Sequence, residues 1–195
     1  MARAKSDKRR QALIEATIRV VAREGHPGAT VDAVAREAGL ANGIVSFYFR
    51  GKADLFSAAF KDLIAGYDAI LARHLKEAGD RPAARLEAMI AAAFDPEALD
   101  RARIAAWFAF WAAEMSRKPR RDAASRAEFK YTRAAVAECK RLGKLNNSIE
   151  AAAAGIGLVA LIDGFWWAMM TAPKSVKPDQ AASACRAYLT ALTRV

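Results

Sequence analysis

The stretch from Thr30 to Leu55 constrains the fold of this chain more than any other, because two short helical patterns in it flank a turn. Val31 and Val34 begin an apolar repeat at the spacing of one buried helix face. Thr30 stands just before this repeat, where a side-chain oxygen can cap a helix. Gly39 follows its last residue, where a left-handed backbone ends a helix without steric cost. The pattern predicts a short helix with defined ends.

Residues 41–49 can form only about two helical turns, which is the size of a recognition helix. A helix of this length after a tight turn predicts a helix-turn-helix unit whose second helix enters the major groove of DNA. The candidates for contacts with base edges are Asn42, Gly43, Ser46 and Phe47. Asparagine can pair with adenine through two hydrogen bonds, and phenylalanine can contact the methyl group of thymine.

Other residues of this region are candidates for contacts with the DNA backbone. Thr30 and Lys52 lie at helix starts, where backbone N–H groups favour an anion. Tyr48 can offer its hydroxyl to a phosphate, whereas Phe49 is expected to pack in the core. The basic run at residues 5–10 is expected to form a flexible arm that approaches phosphates or a minor groove, with a solvated tail as the alternative.

Composition agrees with a polyanionic partner. The chain has 195 residues and a formal net charge of +10, and about half of this excess lies in the first 52 residues. Cys139 and Cys185 make neither a disulfide framework nor a metal-binding spacing, so we expect a reducing cytoplasm, no metal and no cofactor. The apolar run at 151–172 contains Asp163 and is expected to be a buried helix, so no membrane association is predicted.

Glycine and proline separate helical patterns along the whole chain, and no strand-like alternation persists. We therefore predict an all-α fold with an N-terminal three-helix helix-turn-helix head at 1–52 and a C-terminal helical body at 53–195. Outside the two short helices, the predicted helices cover 8–24, 52–78, 83–94, 96–117, 122–142, 148–172 and 178–194.

Two body helices each carry aromatic side chains and a carboxylate on one face. The first stripe consists of Trp107, Phe110, Trp111 and Glu114, and the second of Asp163, Trp166, Trp167 and Met170. Such stripes are usually core, but a buried carboxylate needs a partner, and neither stripe includes a basic residue. A bound cation would supply that partner, and quaternary ammonium ions are the usual guests of aromatic cages.

The segment AREAGLANGIVSFYFRGKADL resembles the TetR family of transcriptional regulators. The family pattern is met at Ala38-Gly39, Gly43, Tyr48-Phe49 and Lys52. At Ala41 the chain departs from the serine that this family usually carries, so Asn42 is expected to share in capping the helix. The segments AAWFAFWAAEM and GLVALIDGFWWAMM resemble the choline-responsive repressors of the same family.

This resemblance implies a homodimeric repressor that binds a pseudo-palindromic double-stranded DNA operator. It also implies control of genes for choline and glycine betaine metabolism, relieved when choline binds in the body. The last two helices are expected to form the dimer interface. The alternative is a regulator of an efflux pump that responds to bulky hydrophobic cations. An enzyme or carrier for a quaternary amine is disfavoured, because no nucleophile, metal set or cofactor loop accompanies the stripes.

Overall fold

The computed structural model describes residues 2–41, 43–115, 123–143, 145 and 149–193. Within these residues every regular element is a helix, which confirms the all-α prediction. The helices are α1 (Ala2–Gly28), α2 (Val31–Glu37), α3 (Ile44–Tyr48), α4 (Lys52–Ala78), α5 (Pro82–Ala93), α6 (Arg101–Met115), α7 (Ala123–Leu142), α8 (Ala151–Thr171) and α9 (Pro178–Thr193).

Packing divides the chain into two compact units. Unit 1 comprises Met1–Gly66 and Asp100–Ala124, and unit 2 comprises Tyr67–Leu99 and Ser125–Val195. Unit 1 thus joins the predicted head to the first part of α4 and to α6. The functional boundary after residue 52 stays a prediction, since it concerns what each part binds.

The ends of the first two helices follow from capping chemistry. Gly25, inside α1, has φ +70° and ψ 165°, so the helix is interrupted where the sequence predicts its end. The Thr30 hydroxyl accepts a hydrogen bond from the Ala33 N–H at 3.1 Å, which confirms the predicted N-cap of α2. Gly39 has φ +66°, and the following Leu40 N–H donates to the Ala35 carbonyl at 2.9 Å. This arrangement satisfies the last carbonyls of α2.

The third helix is shorter than predicted, with Ile44–Tyr48 instead of 41–49. Phe49 is extended, at φ −138° and ψ 141°, so α3 cannot continue through it. The chain then turns at Gly51, where φ is +129°, and the Asp54 carboxylate accepts the Arg50 N–H at 3.0 Å at the start of α4. The turn into α4 therefore limits α3 to little more than one helical turn.

The sixth helix starts at Arg101, five residues later than the predicted start at Pro96. The Asp95 carboxylate accepts the Glu97 N–H at 2.9 Å, which closes a turn around the proline. The Asp100 carboxylate then accepts the Arg103 N–H at 2.8 Å, as an N-cap does. Proline at a helix start was the expected signal, but the two aspartates place the helix start after it.

The core of unit 1 joins α1, α2, α3, α4 and α6. Its fully buried side chains include Leu13, Ile18, Val20, Val21, Val34 and Leu55, and Phe110 of α6 packs against the same cluster. The helix-turn-helix unit thus rests on a continuous apolar support that fixes the orientation of α3.

In unit 2, helices approach closely at glycines of α8. A Cβ added at Gly155 would lie 2.5 Å from the backbone nitrogen of Val136 in α7, and one added at Gly157 would meet the hydroxyl of Tyr188 in α9. Leu86, Leu158 and Cys185 are among the buried side chains of this unit. The α7 backbone can come this near to α8, and the Tyr188 ring this near to Gly157, only because a side chain is absent at each glycine.

Helix α8 is the one helix, among the described residues, that is long and apolar enough to cross a membrane by length and composition. The sequence predicts a buried core helix here, but only 28% of the apolar window is buried. Leu158 and Ile162 face the core, whereas Ile156 and Trp167 are 53% and 56% exposed. The prediction is therefore correct for one face of α8 and wrong for the opposite face.

Candidate DNA interface and ligand-binding residues

Helix α3 has one buried and one exposed face. Val45 is buried in the unit 1 core, as is Phe49 just after the helix, which confirms the core role predicted for Phe49. Gly43, Ser46 and Phe47 are exposed, and Phe47 reaches 77% exposure. An exposed aromatic ring on a small rigid helix is suited to apolar contact with a partner. Asn42, the fourth predicted base reader, lies outside the described residues.

The residues predicted to contact the DNA backbone surround this helix. The Tyr48 ring is partly buried and meets Phe47 edge to face at a centroid distance of 5.0 Å. Lys52 lies at the start of α4, where its ammonium donates to the Pro27 carbonyl at 3.5 Å and lies 5.0 Å from the Phe56 ring centroid. Thr30, the N-cap of α2, is exposed. Thr30 and Lys52 thus lie at helix starts, as predicted, whereas Tyr48 is the last residue of α3.

The basic run at residues 5–10 belongs to the first turns of α1, and not to the flexible arm that the sequence predicts. Lys5, Lys8 and Arg9 are exposed. The Arg10 guanidinium carbon lies 5.0 Å from the centroid of the Phe49 ring, which ties the start of α1 to the end of α3.

Ion pairs connect α1 to α2 in the head. The Glu37 carboxylate accepts hydrogen bonds from Arg19 at 2.8 Å and from Arg23 at 3.1 Å. The hydrogen bond from Arg19, followed by the one from Arg23, holds the pKa of Glu37 below its usual range. These contacts involve exposed arginines, so they orient α2 more than they stabilise it.

The aromatic residues of the α6 stripe pack in the core of unit 1. Phe110 is 3% exposed, and its ring centroid lies 5.4 Å from that of Phe60 and 6.0 Å from that of Phe56. Trp107 packs against Phe60 at 5.7 Å, and Trp111 is partly buried against the same cluster. The Glu114 side chain lies outside the described residues. Packing in the apolar core of unit 1 therefore explains the positions of these rings without a ligand.

The α8 stripe belongs to unit 2, where its members differ in burial. Trp166 is 6% exposed, and its indole N–H donates to the Ala93 carbonyl at 2.9 Å. Asp163 and Trp167 are exposed, and Met170 is partly buried. The assembly of both stripes into one cage therefore stays a prediction, as does every assigned contact with DNA or ligand.

Two tyrosines that the sequence analysis does not single out belong to the same cluster as Trp166: Tyr67 contacts Trp166, and Tyr131 contacts Tyr67. The ring of Tyr67, in α4, meets that of Trp166 at 5.5 Å and that of Tyr131, in α7, at 5.0 Å. Tyr67 follows Phe60 in α4 by seven residues, the spacing of one helix face, whereas Tyr131 belongs to no aromatic repeat in α7. Periodicity within one helix does not show that these rings and Trp166 meet, since the packing of three helices brings them together.

Comparison with known proteins decides the family. Residues 13–59 match the model of the bacterial regulatory proteins of the tetR family, and residues 82–194 match the C-terminal model of BetI-type transcriptional repressors. The chain belongs to the TetR family, with a BetI-type C-terminal part. It is thus a DNA-binding transcriptional regulator and not a member of an enzyme family. In the described part of the chain, no cluster of His, Cys, Asp or Glu could hold a metal ion.

Relatives match over most of their length. The HTH-type transcriptional regulator BetI of Serratia proteamaculans is 32% identical over 93% of this chain and 91% of its own. A putative transcriptional regulator from Pseudomonas aeruginosa has a TM-score of 0.77 and 29% identity, covering 94% of this chain and 89% of its own. A putative regulator from Saccharomonospora viridis, solved in complex with choline, has a TM-score of 0.79 at 18% identity, covering 94% and 96%. This last likeness shows the shared fold.

Proposed function

We propose that this TetR-family regulator is a cytoplasmic homodimer that represses genes of choline and glycine betaine metabolism and leaves its operator when choline binds in the helical body. The BetI-type C-terminal part, matched over residues 82–194, is the observation that carries the choline response. The proposed choline response is also supported by the BetI relative and by a protein of the same fold that was solved in complex with choline.

In the head, we assign base reading to the exposed face of α3. Gly43, Ser46 and Phe47 form that face, and Asn42 precedes it in the chain. Phe47 is suited to a thymine methyl group and Asn42 to an adenine edge. Thr30, Tyr48 and Lys52 surround α3 and supply the sequence-independent contacts with phosphates.

The exposed apolar face of α8 supports a dimer. Ile156 and Trp167 stand on it, and α9 next to it exposes small residues such as Ala184 and Ala187. Two copies can bury such faces as a four-helix interface. The two recognition helices of a dimer would then reach half-sites about 34–36 Å apart, which requires a pseudo-palindromic operator.

For choline to release the operator, its binding must favour a distance between the two heads of the dimer that does not fit the operator. Helix α4 belongs to both compact units, with Lys52–Gly66 in unit 1 and Tyr67 onward in unit 2. A change around its second part can therefore pass to the head along one continuous helix. A coupling free energy of about 1–3 kcal/mol would lower operator affinity about 5- to 150-fold.

Selection of binding sites from random duplex DNA, followed by titration with choline, tests this function. We expect a pseudo-palindromic site whose affinity falls as choline rises. A response to large lipophilic cations alone would instead support the efflux-pump alternative. Binding of the selected site by a monomer, or no effect of any cation, would contradict the proposal.

Variants of the head test the division of contacts. Lys52→Ala should weaken binding to operator and random duplexes alike and reduce the slope of log affinity against log salt by about one. Asn42→Ala should cost about 1–3 kcal/mol, mainly on the operator. Equal losses for both variants on both DNAs would contradict the assignment of these two roles.

A further inference from the structure

Three aromatic rings from three helices meet nearly at right angles in unit 2. The Tyr67 ring lies at 90° to that of Tyr131 and at 85° to that of Trp166, with centroid distances of 5.0 and 5.5 Å. An edge-to-face contact covers the face of only one ring in each pair. Rings in this arrangement form the walls of a small corner, whereas stacked rings would cover one another.

Hydrogen bonds fix the orientation of two of these rings. The Tyr131 hydroxyl donates to the Asp68 carboxylate at 3.0 Å, and the Trp166 indole N–H donates to the Ala93 carbonyl at 2.9 Å. Because the rings are already held in place, a ligand would lose little free energy in ordering them. The cluster is therefore organised in advance of binding.

Two carboxylates act on the central ring of this cluster. Burial raises the pKa of Tyr67, and the carboxylates of Asp163 and Asp68 raise it further, so both charges act on this partly buried residue. The side chain of Lys130 already places a positive charge beside the cluster. The Lys130 ammonium lies 2.7 Å from both oxygens of Asp68 and 5.7 Å from the Tyr131 ring centroid.

These features favour a particular class of ligand. A primary ammonium ion must find hydrogen-bond acceptors when it leaves water, but a quaternary ammonium ion has no donor to satisfy. Aromatic faces attract its diffuse charge without hydrogen bonds.

We propose that Tyr67, Tyr131 and Trp166, with the carboxylate of Asp163, form the site that binds a small quaternary ammonium ion. This proposal rests on the proposed function and identifies the residues of its ligand site. It differs from the sequence prediction because it assigns no ligand contact to the α6 stripe, whose rings pack in the core of unit 1.

Fluorine NMR of the full-length protein labelled with 5-fluorotryptophan tests the site without disturbing the fold. The chain has four tryptophans, and single Trp→Phe variants would assign their resonances. Choline should shift the Trp166 resonance most, with saturation. A largest shift at Trp107 or Trp111, with Trp166 unmoved, would overturn the proposal.

Calorimetry with choline and with tetramethylammonium provides the second test. Tyr67→Leu and Tyr131→Leu should each weaken binding of both ions roughly 5- to 30-fold, because each removes one aromatic wall. Tyr131→Phe keeps the ring and should retain most of the affinity. Trp111→Leu is the control, since it removes a ring from the α6 stripe, to which this proposal assigns no ligand contact, and it should change affinity less than about twofold.

A neutral analogue separates charge recognition from apolar burial. In 3,3-dimethylbutan-1-ol, carbon replaces the charged nitrogen of choline, so it should bind at least roughly tenfold more weakly. Equal affinity of the charged and neutral compounds would overturn the cation site. So would unchanged choline binding in both leucine variants.

The outcomes distinguish this site from the proposed function. If choline shifts Trp166 but leaves operator affinity unchanged, the site stands and the proposed response fails. If choline releases the operator while Trp166 is unmoved, the response stands and the site is overturned. If neither choline nor tetramethylammonium binds, the site is overturned, and operator release by a large lipophilic cation would support the efflux-pump alternative.

Discussion

Each compact unit contains a cluster of aromatic rings, and the two clusters differ in what surrounds those rings. In unit 1, Phe56, Phe60 and Phe110 pack together, with the His26 ring 5.1 Å from that of Phe56. Three of these four rings are hydrocarbon, and aliphatic side chains enclose them. In unit 2, the cluster around Tyr67 carries hydroxyl and indole groups and has two carboxylates beside it.

This difference teaches that aromatic spacing along one helix does not separate a core from a cation site. Trp107 and Phe110 have the same i, i+3 spacing as Asp163 and Trp166. They differ in what other helices contribute: phenylalanines of α4 in the first case, and Tyr67, which also contacts Tyr131, in the second. Polar groups held beside a ring are the better sign of a binding site.

The largest expected effect on stability comes from a substitution in the unit 1 cluster. Phe110→Ala should lower the free energy of unfolding by about 3–5 kcal/mol, because it leaves a cavity among rings that cannot close together. Phe47→Ala, at a ring that is 77% exposed, should cost less than about 1 kcal/mol. Denaturant titration measures both. A small loss of stability for Phe110→Ala together with lost choline binding would place the ligand in unit 1.

A smaller effect tests the close packing of helices in unit 2. Gly155→Ala should destabilise the protein by about 1–3 kcal/mol, because its Cβ would press on the backbone of Val136, which cannot rotate away. Gly164→Ala is the matched control in the same helix. Nothing lies within 4 Å of its added Cβ, so it should be neutral or stabilise by up to about 1 kcal/mol. Thermal unfolding of the two variants checks the contrast, which equal stabilities would contradict.

A smaller effect on stability is expected when a polar group of the unit 2 cluster is removed. Tyr131→Phe should cost about 1 kcal/mol of stability, since it removes the hydroxyl that donates to Asp68 while the ring stays. A double-mutant cycle with Asp68→Ala should recover most of that cost as coupling between the two residues. No coupling would show that this hydrogen bond does not hold the ring in place.

The smallest effect concerns the pH dependence of the head. The pKa of Glu37 is lowered in the folded state, chiefly by the hydrogen bond from Arg19. Its contribution is therefore fully present above the unfolded pKa of about 4.3 and is lost as pH falls through the lower folded value. Glu37→Gln should remove this part of the acid dependence, worth at most about 1 kcal/mol at a partly exposed pair. Unfolding measured from pH 6 to pH 3, roughly spanning that window, would show it; an unchanged acid profile would contradict the pairing.

Local chemistry made much of the fold predictable. Thr30 and Gly39 act as caps, Gly25 interrupts α1, and α4 spans the predicted range, because each of these features depends on neighbouring residues alone. The start of α6 was missed, since Asp95 and Asp100 form side-chain turns that compete with the proline signal. The proline and the two aspartates favour different starts for this helix, and the sequence alone does not show which start is adopted.

The candidate sites were predictable to different degrees. The exposed face of α3 follows from its helical period, and the structure exposes Gly43, Ser46 and Phe47 on it. The aromatic cluster does not follow from any one helix, because Tyr67 meets Trp166 and Tyr131 only through tertiary packing. The sequence indicates the second stripe and its carboxylate, and the joining of both stripes into one cage stays a prediction.

Operator affinity measured against choline concentration tests the central claim most directly. Fluorescence anisotropy of a labelled operator duplex should show affinity falling about 5- to 150-fold, with half the change at the choline concentration that half-saturates the Trp166 shift. The neutral isostere at the same concentrations should leave operator affinity unchanged. Full operator affinity at choline concentrations that saturate the protein would contradict the account.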